Sequence, residues 1–392
     1  MKKRVVVGLS GGVDSSVAAF LLKKEGFDVT GLFMINWHDK TGLLKGDCPW
    51  DEDVLIAQLV ANKIGIPFHI VDLSEKYRKR VVDYMFDEYE KGRTPNPDVL
   101  CNKEIKFDEF FDAAAIYEPD YIATGHYCRK ESLFSDNGTI YRLLEGEDPL
   151  KEQSYFLCQL SQRQLSKALF PIGHLHKSEV RKIAREAKLP TAERKDSQGI
   201  CFIGKVSLPE FLQQQLKAKE GEIIEIPGDF SGFKDQKKED PDLDEMARPW
   251  QYGRNDGILA GKHQGAHFFT IGQRKGLNIG GKKEPLFILA TDIEKNIIYA
   301  GQGKNHPGLF RKGLFIPRGD VHWIRPDSAL KPGEIKDYRV RIRYRQPLQD
   351  AVMHCTETGI YIKFKEEQRG ITPGQFAAWY LDGELFGSGV IN

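Results

Sequence analysis

Apolar positions follow two regimes along the chain. Over residues 3–127, short apolar runs alternate with stretches of helical period: Arg4 to Gly8, Val13 to Lys24, Val29 to Met34, Asp53 to Ile64, Phe68 to Asp72 and Tyr121 to Thr124. Strands buried on both faces read as short continuous apolar runs, and parallel neighbours need a crossover between them. The order therefore predicts an α/β fold with a parallel sheet. Segments 155–170 and 178–188 carry a helical pattern and extend the same unit.

The regime breaks near Ile203 to Pro209, after which glycines multiply. Residues 228–256, with Lys237-Lys238-Glu239-Asp240-Pro241-Asp242 inside them, offer few apolar anchors and read as an insertion or mobile loop. From Glu284 onward, short runs such as Phe287 to Ala290, Ile297 to Ala300, Tyr338 to Tyr344 and Ala377 to Leu381 are separated by Gly, Pro and Asp, which predicts a small all-β barrel. The expected division is a catalytic α/β domain over 1–205, a small glycine-rich middle domain over 206–283 holding the 228–256 insertion, and a C-terminal β-barrel over 284–392. A length of 392 residues fits two or three such domains.

Composition adds exclusions. With 57 basic and 56 acidic residues, global charge does not announce a nucleic-acid binder, so any polyanion site is a local patch. Cysteines stand at 48, 101, 128, 158, 201 and 355 with no C-x-x-C pair, which fits a reducing compartment. Met1-Lys2-Lys3 runs straight into the first apolar run, leaving no room for a leader, and no apolar stretch reaches membrane-spanning length. The expectation is a cytoplasmic protein without a membrane partner.

Gly8-Leu9-Ser10-Gly11-Gly12-Val13-Asp14-Ser15 lies between the first predicted strand and the first predicted helix, so backbone N–H groups and a helix N-terminus converge on a spot suited to an anion. It lacks the Gly-Lys-Ser/Thr ending of a Walker A loop and is not G-x-G-x-x-G. The plain alternative is a tight turn capped by Ser10 or Asp14, and Asp14 is equally a candidate Mg²⁺ ligand.

Two cysteines invite chemistry. Pro95 and Pro97 exclude regular helix from Thr94 to Asp98, which places Asp98 and Cys101 on or just past a rigid turn. A thiol at the helix start beside Lys103 would gain thiolate character, and Cys201 follows Gly199-Ile200 in a polar loop. Each would equally serve as a small buried residue. Cys128, Cys158 and Cys355 are read as structural, and His174 and His176 as a capping loop rather than a metal site.

The Ser-Gly-Gly-x-Asp-Ser string resembles the PP-loop of ATP pyrophosphatases, an adenine nucleotide alpha hydrolase-like domain class. Together with Gly92 to Phe107, Thr124-Gly125-His126-Tyr127, Lys151 to Leu157, Lys195 to Gly204 and Thr270 to Leu277, it resembles the bacterial tRNA-specific 2-thiouridylase (MnmA) family over essentially the whole chain. The resemblance implies a tRNA-uridine 2-sulfurtransferase that uses ATP and Mg²⁺. The C2 oxygen of the wobble uridine of tRNA would be adenylated, and sulfur from a cysteine persulfide would then displace AMP. Gly8, Leu9, Ser10, Gly11, Gly12, Val13, Asp14, Ser15, Met34 and Gly125 would line the ATP site. Asn96, Pro97 and Asp98 would meet the target base, with Asp98 an acid/base group. Cys201 would carry the persulfide and Cys101 would be its partner thiol, the two joining as a disulfide when sulfur leaves. His126, Lys151, Glu152, Gln153, Arg343, Tyr344 and Gln375 would fall on the tRNA. A cysteine desulfurase or sulfur relay protein would be the donor, and a monomer is favoured. The chain departs from the family pattern in the length of 228–256 and in Ser388, where a third glycine is usual.

Arg339 to Gln346 alternates strictly, so as a strand it would set four guanidinium groups on one face, suited to phosphates, or to water as an ordinary solvated face. Gln273-Arg274-Lys275 adds a second basic site. Two rival readings use the same residues. A PP-loop ligase that adds nitrogen would need no cysteine pair, and a tRNA-binding protein would use Cys48, Cys101 and Cys201 to hold a metal or cluster.

Overall fold

The computed structural model describes residues 2–38, 50–135, 138–196, 208–213, 215–235 and 242–392. Its first sheet holds β1 (Arg4–Gly8), β2 (Asp28–Ile35), β3 (Phe68–Asp72), β4 (Tyr121–Ala123) and β7 (Ala168–Leu169), in the order β3-β2-β1-β4-β7. All four pairings are parallel, as the continuous apolar runs predict. Side chains alternate across β1: Val5 and Val7 enter the core against helices α1 (Val13–Lys24) and α2 (Asp51–Ile64), while Val6 enters the opposite core with Leu32, Met34 and Cys101. Helix α2 ends where Gly65 takes a left-handed φ of 72°, a conformation open to glycine at little cost. Because the chain runs outward from β1 to β2 and β3 on one side and to β4 on the other, the order reverses between β1 and β4. Ligands of open α/β sheets bind at such a crevice.

The second sheet is β10-β11-β8-β9, built from β8 (Gly221–Glu225), β9 (Ile258–His263), β10 (Leu286–Asp292) and β11 (Ile297–Gln302). The boundary drawn at residue 284 is therefore displaced: residues 286–302, grouped by sequence with the C-terminal barrel, pair through β11 with β8. The segment 228–256 also differs from its expectation. Phe230, Phe233, Trp250 and Tyr252 pack around Leu309 and Tyr299, and Met246 lies against Gly313. The Tyr361 hydroxyl donates to the Asp244 carboxylate. The anchors are aromatics spread outside any single period, so a pattern search counts few of them.

The third sheet comprises β5 (Cys128–Ser135), β6 (Gly138–Glu145), β12 (Phe310–Pro317), β13 (Val321–Trp323), β14 (Ile335–Arg341), β15 (Gln349–Cys355), β16 (Gly359–Arg369), β17 (Phe376–Leu381) and β18 (Glu384–Val390), in the order β12-β16-β15-β14-β17-β18-β6-β5, with β13 on β18. The β5–β6 hairpin leaves the first domain and joins this barrel sheet, Leu143 opposite Leu385. Ser388 is fully buried there; its hydroxyl donates to the Cys158 carbonyl at 2.7 Å and accepts from Gln159 at 2.8 Å, contacts a glycine lacks.

The arginine strand is shorter than its alternation suggests. β14 stops at Arg341, and Arg345 turns the chain with φ of 65°. Arg341 is buried between Glu145 (2.6 Å) and Glu152 (2.7 Å), with its guanidinium 4.7 Å from the Tyr380 ring centre. Arg339 and Arg343 stay exposed, Arg339 beside Asp350, but Arg341 is buried and Arg345 sits in a turn, so the four guanidinium groups do not form one face. Glu145 at the end of β6 and Glu152 beyond it hold Arg341 inward, which local alternation does not report. Among the described residues no helix is long and apolar enough to cross a membrane.

Candidate nucleotide and thiol site

The loop 8–15 leaves β1 at the carboxyl edge of the sheet. Gly11 has φ of 71°, and a Cβ there would sit 2.7 Å from the Asp53 carbonyl and 2.9 Å from Arg194 Nη1. Only glycine meets both demands. Gly125 lies flat on the start of α1, where a Cβ would be 2.7 Å from Ser15 N. The loop is braced by its own hydroxyls: Ser10 N donates to Ser15 Oγ (3.2 Å), Ser15 Oγ to the Gly12 carbonyl (3.1 Å) and Ser16 Oγ to the same carbonyl (2.7 Å). No side chain caps α1, so its first-turn amides and positive dipole end face the crevice. Leu9 and Val13 turn into the core, and Met34 Cε approaches Gly8. A glycine-lined anion cradle beside a buried apolar wall fits a nucleotide triphosphate.

Asp14 caps nothing. Its carboxylate accepts from the Tyr127 hydroxyl at 2.7 Å and from Lys177 Nζ at 2.7 and 2.8 Å. Lys177 also reaches Asp196 at 2.8 Å, which in turn binds Lys151 at 2.7 Å and Arg181 at 2.9 Å. Burial would raise the Asp196 carboxyl, but hydrogen bonds from Lys151 and Lys177 outweigh it and hold it near about 2. Burial, then the Asp14 carboxylate, pushes the Tyr127 hydroxyl far up, so it stays a donor. Lys177, Arg181 and Arg194 border the loop and were not reached by sequence reasoning, which quoted Tyr127 and Asp196 within longer strings but gave them no role. Lys177 opens the helix Lys177–Glu186, but nothing in its spacing aims it at Asp14.

The proline turn forms a second corner. Asn96 Oδ1 accepts from Val99 N (3.2 Å) and caps the helical run that Pro97 opens. Cys101 falls one turn inside that run and is wholly buried with Tyr77, Val81, Ile105 and Phe110. Cys101 is therefore not at the helix start expected beside Lys103, because the helix begins at Pro97, and it takes the buried alternative. Asn102 Nδ2 donates to the carbonyls of Asp98 (2.9 Å) and Phe156 (3.2 Å), tying the turn to the 151–157 segment. Asp98 is half-buried. Thr94 meets the middle domain through its hydroxyl, 3.1 Å from that of Thr270.

The residues expected on tRNA separate into two groups. Lys151 holds Asp196, and Gln153 exchanges hydrogen bonds with the Tyr127 backbone at 2.9 and 3.0 Å, both beside the phosphate loop. Asn96 and Gln375 meet at the proline turn, Nδ2 to Oε1 at 3.5 Å, Tyr344 lies 4.3 Å from the Phe156 ring, and Arg343 points toward Gly370. Glu152 is buried against Arg341 and Ser154 N. His126 is buried between Phe107 and Phe170, its Nδ1 2.8 Å from the Thr124 hydroxyl. Burial, reinforced by Lys106, pushes its pKa well below the usual histidine value. Cys48 and Cys201 lie outside the described residues. Burial pushes the Cys128 thiol far up and that of Cys158 to about 12, which suits structural cysteines.

A phosphate cradle at the switch point of a parallel sheet, flanked by a cysteine-bearing turn and carried on two β-domains, defines a nucleotide-binding α/β protein with appended barrels. Residues 3–205 match the family described as tRNA methyl transferase HUP domain, 253–302 its PRC-barrel domain, and 316–391 the aminomethyltransferase beta-barrel domain. The chain is 59% identical over its full length, and the full length of the relative, to a protein of Christiangramia forsetii named tRNA-specific 2-thiouridylase MnmA. It is equally similar, 59% with full coverage of both, to the protein of that name from Flavobacterium johnsoniae, and 45% identical to that of Karelsulcia muelleri, covering 100% of this chain and 99% of the relative. The chain belongs to the tRNA-specific 2-thiouridylase MnmA family.

Proposed function

We propose that this protein converts the wobble uridine of tRNA to 2-thiouridine with ATP and a cysteine-borne persulfide. The observation that carries the reading is full-length identity of 59% to 2-thiouridylases, in a chain that keeps the braced phosphate loop and the cysteine turn. ATP with Mg²⁺ supplies an AMP leaving group on an oxygen that otherwise departs poorly. Loop amides from Gly11 to Ser15 and the α1 dipole hold the phosphates, while Met34 and Gly125 shape the nucleotide's surroundings. Asn96, Pro97 and Asp98 receive the base, splayed out of its stack, and Asp98 moves the proton.

Cys201 presents the persulfide sulfur. The outer sulfur bonds to C2, AMP leaves with its electron pair, and the Cys101 thiolate attacks the inner sulfur, giving a Cys101–Cys201 disulfide and leaving the outer sulfur on the base. The support for Cys101 in this role is its place on the helical run opened by the turn that carries Asn96, Pro97 and Asp98. The sulfur comes from a cysteine desulfurase or relay protein, the enzyme acts in the cytoplasm, and it acts as a monomer. Lys151, Gln153, Arg343, Tyr344 and Gln375 border the tRNA path, with His126 and Glu152 behind them as buried supports.

Mass spectrometry of tRNA nucleosides tests the reading: purified protein, ATP, Mg²⁺, a persulfide source and unmodified tRNA should yield 2-thiouridine. Its absence, or an equal yield from Cys201→Ser, would refute the mechanism.

A further inference from the structure

One polar side chain near the crevice has no use within the fold. Asn36 is 2% exposed, and neither Nδ2 nor Oδ1 has a hydrogen-bond partner. Among the described residues it is the one amide orphaned at both ends. Buried polar groups are paired in the great majority of cases, so a doubly orphaned amide calls for a reason. Its position supplies one. Asn36 is the first residue past β2, immediately after the last ladder position, Ile35 opposite Asp72, and so stands at the carboxyl edge where ligands of parallel sheets bind. The alternation of β2 sends Leu32 and Met34 into the cluster that holds Cys101, and Phe33 and Ile35 into the opposite one. The strand ends at Ile35, and Trp37 already packs with Leu32 and Met34 in the cluster that holds Cys101, so Asn36 stands between the two cores where the chain leaves the sheet.

We propose that Asn36 reads the hydrogen-bonding edge of a nucleobase in the proposed thiolation site. A carboxamide sets one donor beside one acceptor, which matches the amino group and ring nitrogen of adenine, and equally N3–H and O4 of uracil. Both bases belong to the reaction proposed above, on which the inference rests: adenine from ATP and uracil from tRNA. A base edge pairs the amide that the fold itself leaves without a partner, so Asn36 contributes binding without contributing stability.

The test uses Asn36→Leu and the isosteric Asn36→Asp in the full chain. Thermal unfolding is measured without ligand, and binding of ATP, GTP, and unmodified tRNA carrying uridine or cytidine at the wobble position is measured by calorimetry. Removing an orphaned amide should leave the Asn36→Leu unfolding temperature unchanged or higher. One binding reaction should weaken by about 10- to 100-fold. Weakened binding of ATP with tRNA binding unchanged assigns adenine; weakened binding of uridine-bearing tRNA with ATP binding unchanged assigns uracil. Unchanged binding of both ligands in both variants, at any stability, overturns the proposal. These binding measurements need no sulfur transfer, so a wild-type protein that binds selectively through Asn36 yet forms no 2-thiouridine would refute the proposed function and leave this inference standing.

Discussion

Gln375 donates from Nε2 to the backbone carbonyls of Thr94 (2.8 Å) and Pro95 (3.1 Å), so a residue at the edge of the C-terminal barrel holds the turn that leads to Cys101. Thr94 N also donates to the Pro373 carbonyl at 2.8 Å. The barrel therefore sets the shape of the proline turn as well as extending the surface.

Replacing Gln375 with Glu keeps its size but turns the donor into an acceptor facing two carbonyls. The Gln375→Glu protein should lose about 1–3 kcal/mol of stability. Thiolation kcat should fall by roughly 10-fold or more as the turn loosens. Chemical denaturation and single-turnover thiolation check both; a variant with wild-type kcat would show that the clamp does not position the turn.

At Gly125 a methyl group would press on Asp14 and Ser15 backbone atoms at 2.7 Å, with no flexible side chain to yield. Gly125→Ala should displace the first turn of α1 and weaken ATP binding by about 100-fold, the scale of several misplaced charge-assisted bonds. Binding of tRNA without ATP should change little. Calorimetric titration of each ligand separates the two effects.

Breaking the Arg341 pairs should be costly, because Glu152 would remain buried without its partner and Glu145 half-buried beside it. Arg341→Met should destabilise by about 3–5 kcal/mol, and adding Glu152→Gln should recover part of that loss. Denaturant titration of the single and double variants measures the recovery. A double variant no more stable than Arg341→Met would mean that the lost stability lies in packing against Tyr380.

His126 contributes a pH dependence of definite sign. Its folded pKa lies well below the usual histidine value, through burial and then Lys106. Above pH about 6.5 neither state carries the proton, and the contribution is fully present. Below that pH the unfolded chain takes up a proton that the folded chain refuses, so stability falls as pH falls. The slope between pH 6 and 5 should exceed that of His126→Gln by up to about 1.4 kcal/mol per pH unit. Urea unfolding at several pH values provides the comparison, and parallel slopes would show that His126 titrates normally.

The first sheet and its phosphate loop were legible because their signals are local: apolar runs of strand length, a helical period beginning at Val13, and glycines where Gly11 needs φ of 71°. Pro95 and Pro97 likewise announced the turn before Cys101, since proline restricts torsions wherever it stands. Sequence also determined which residue types were on hand for chemistry. It did not determine which of them would meet. The alternation at Arg339 to Arg345 is compatible with an exposed basic face, and only Glu145 and Glu152, 196 and 189 residues earlier, turn Arg341 inward. Residues 286–302 carry a generic antiparallel pattern, and pairing with Gly221–Glu225 decides their sheet. Lys177 and Asp196 look like ordinary helix-start and loop charges until folding brings Lys177 to Asp14 and Asp196 to Lys177. Local torsion and periodicity are written residue by residue, whereas burial of a charge, pairing of a strand and closure of a site depend on partners far along the chain, and those only the tertiary structure supplied.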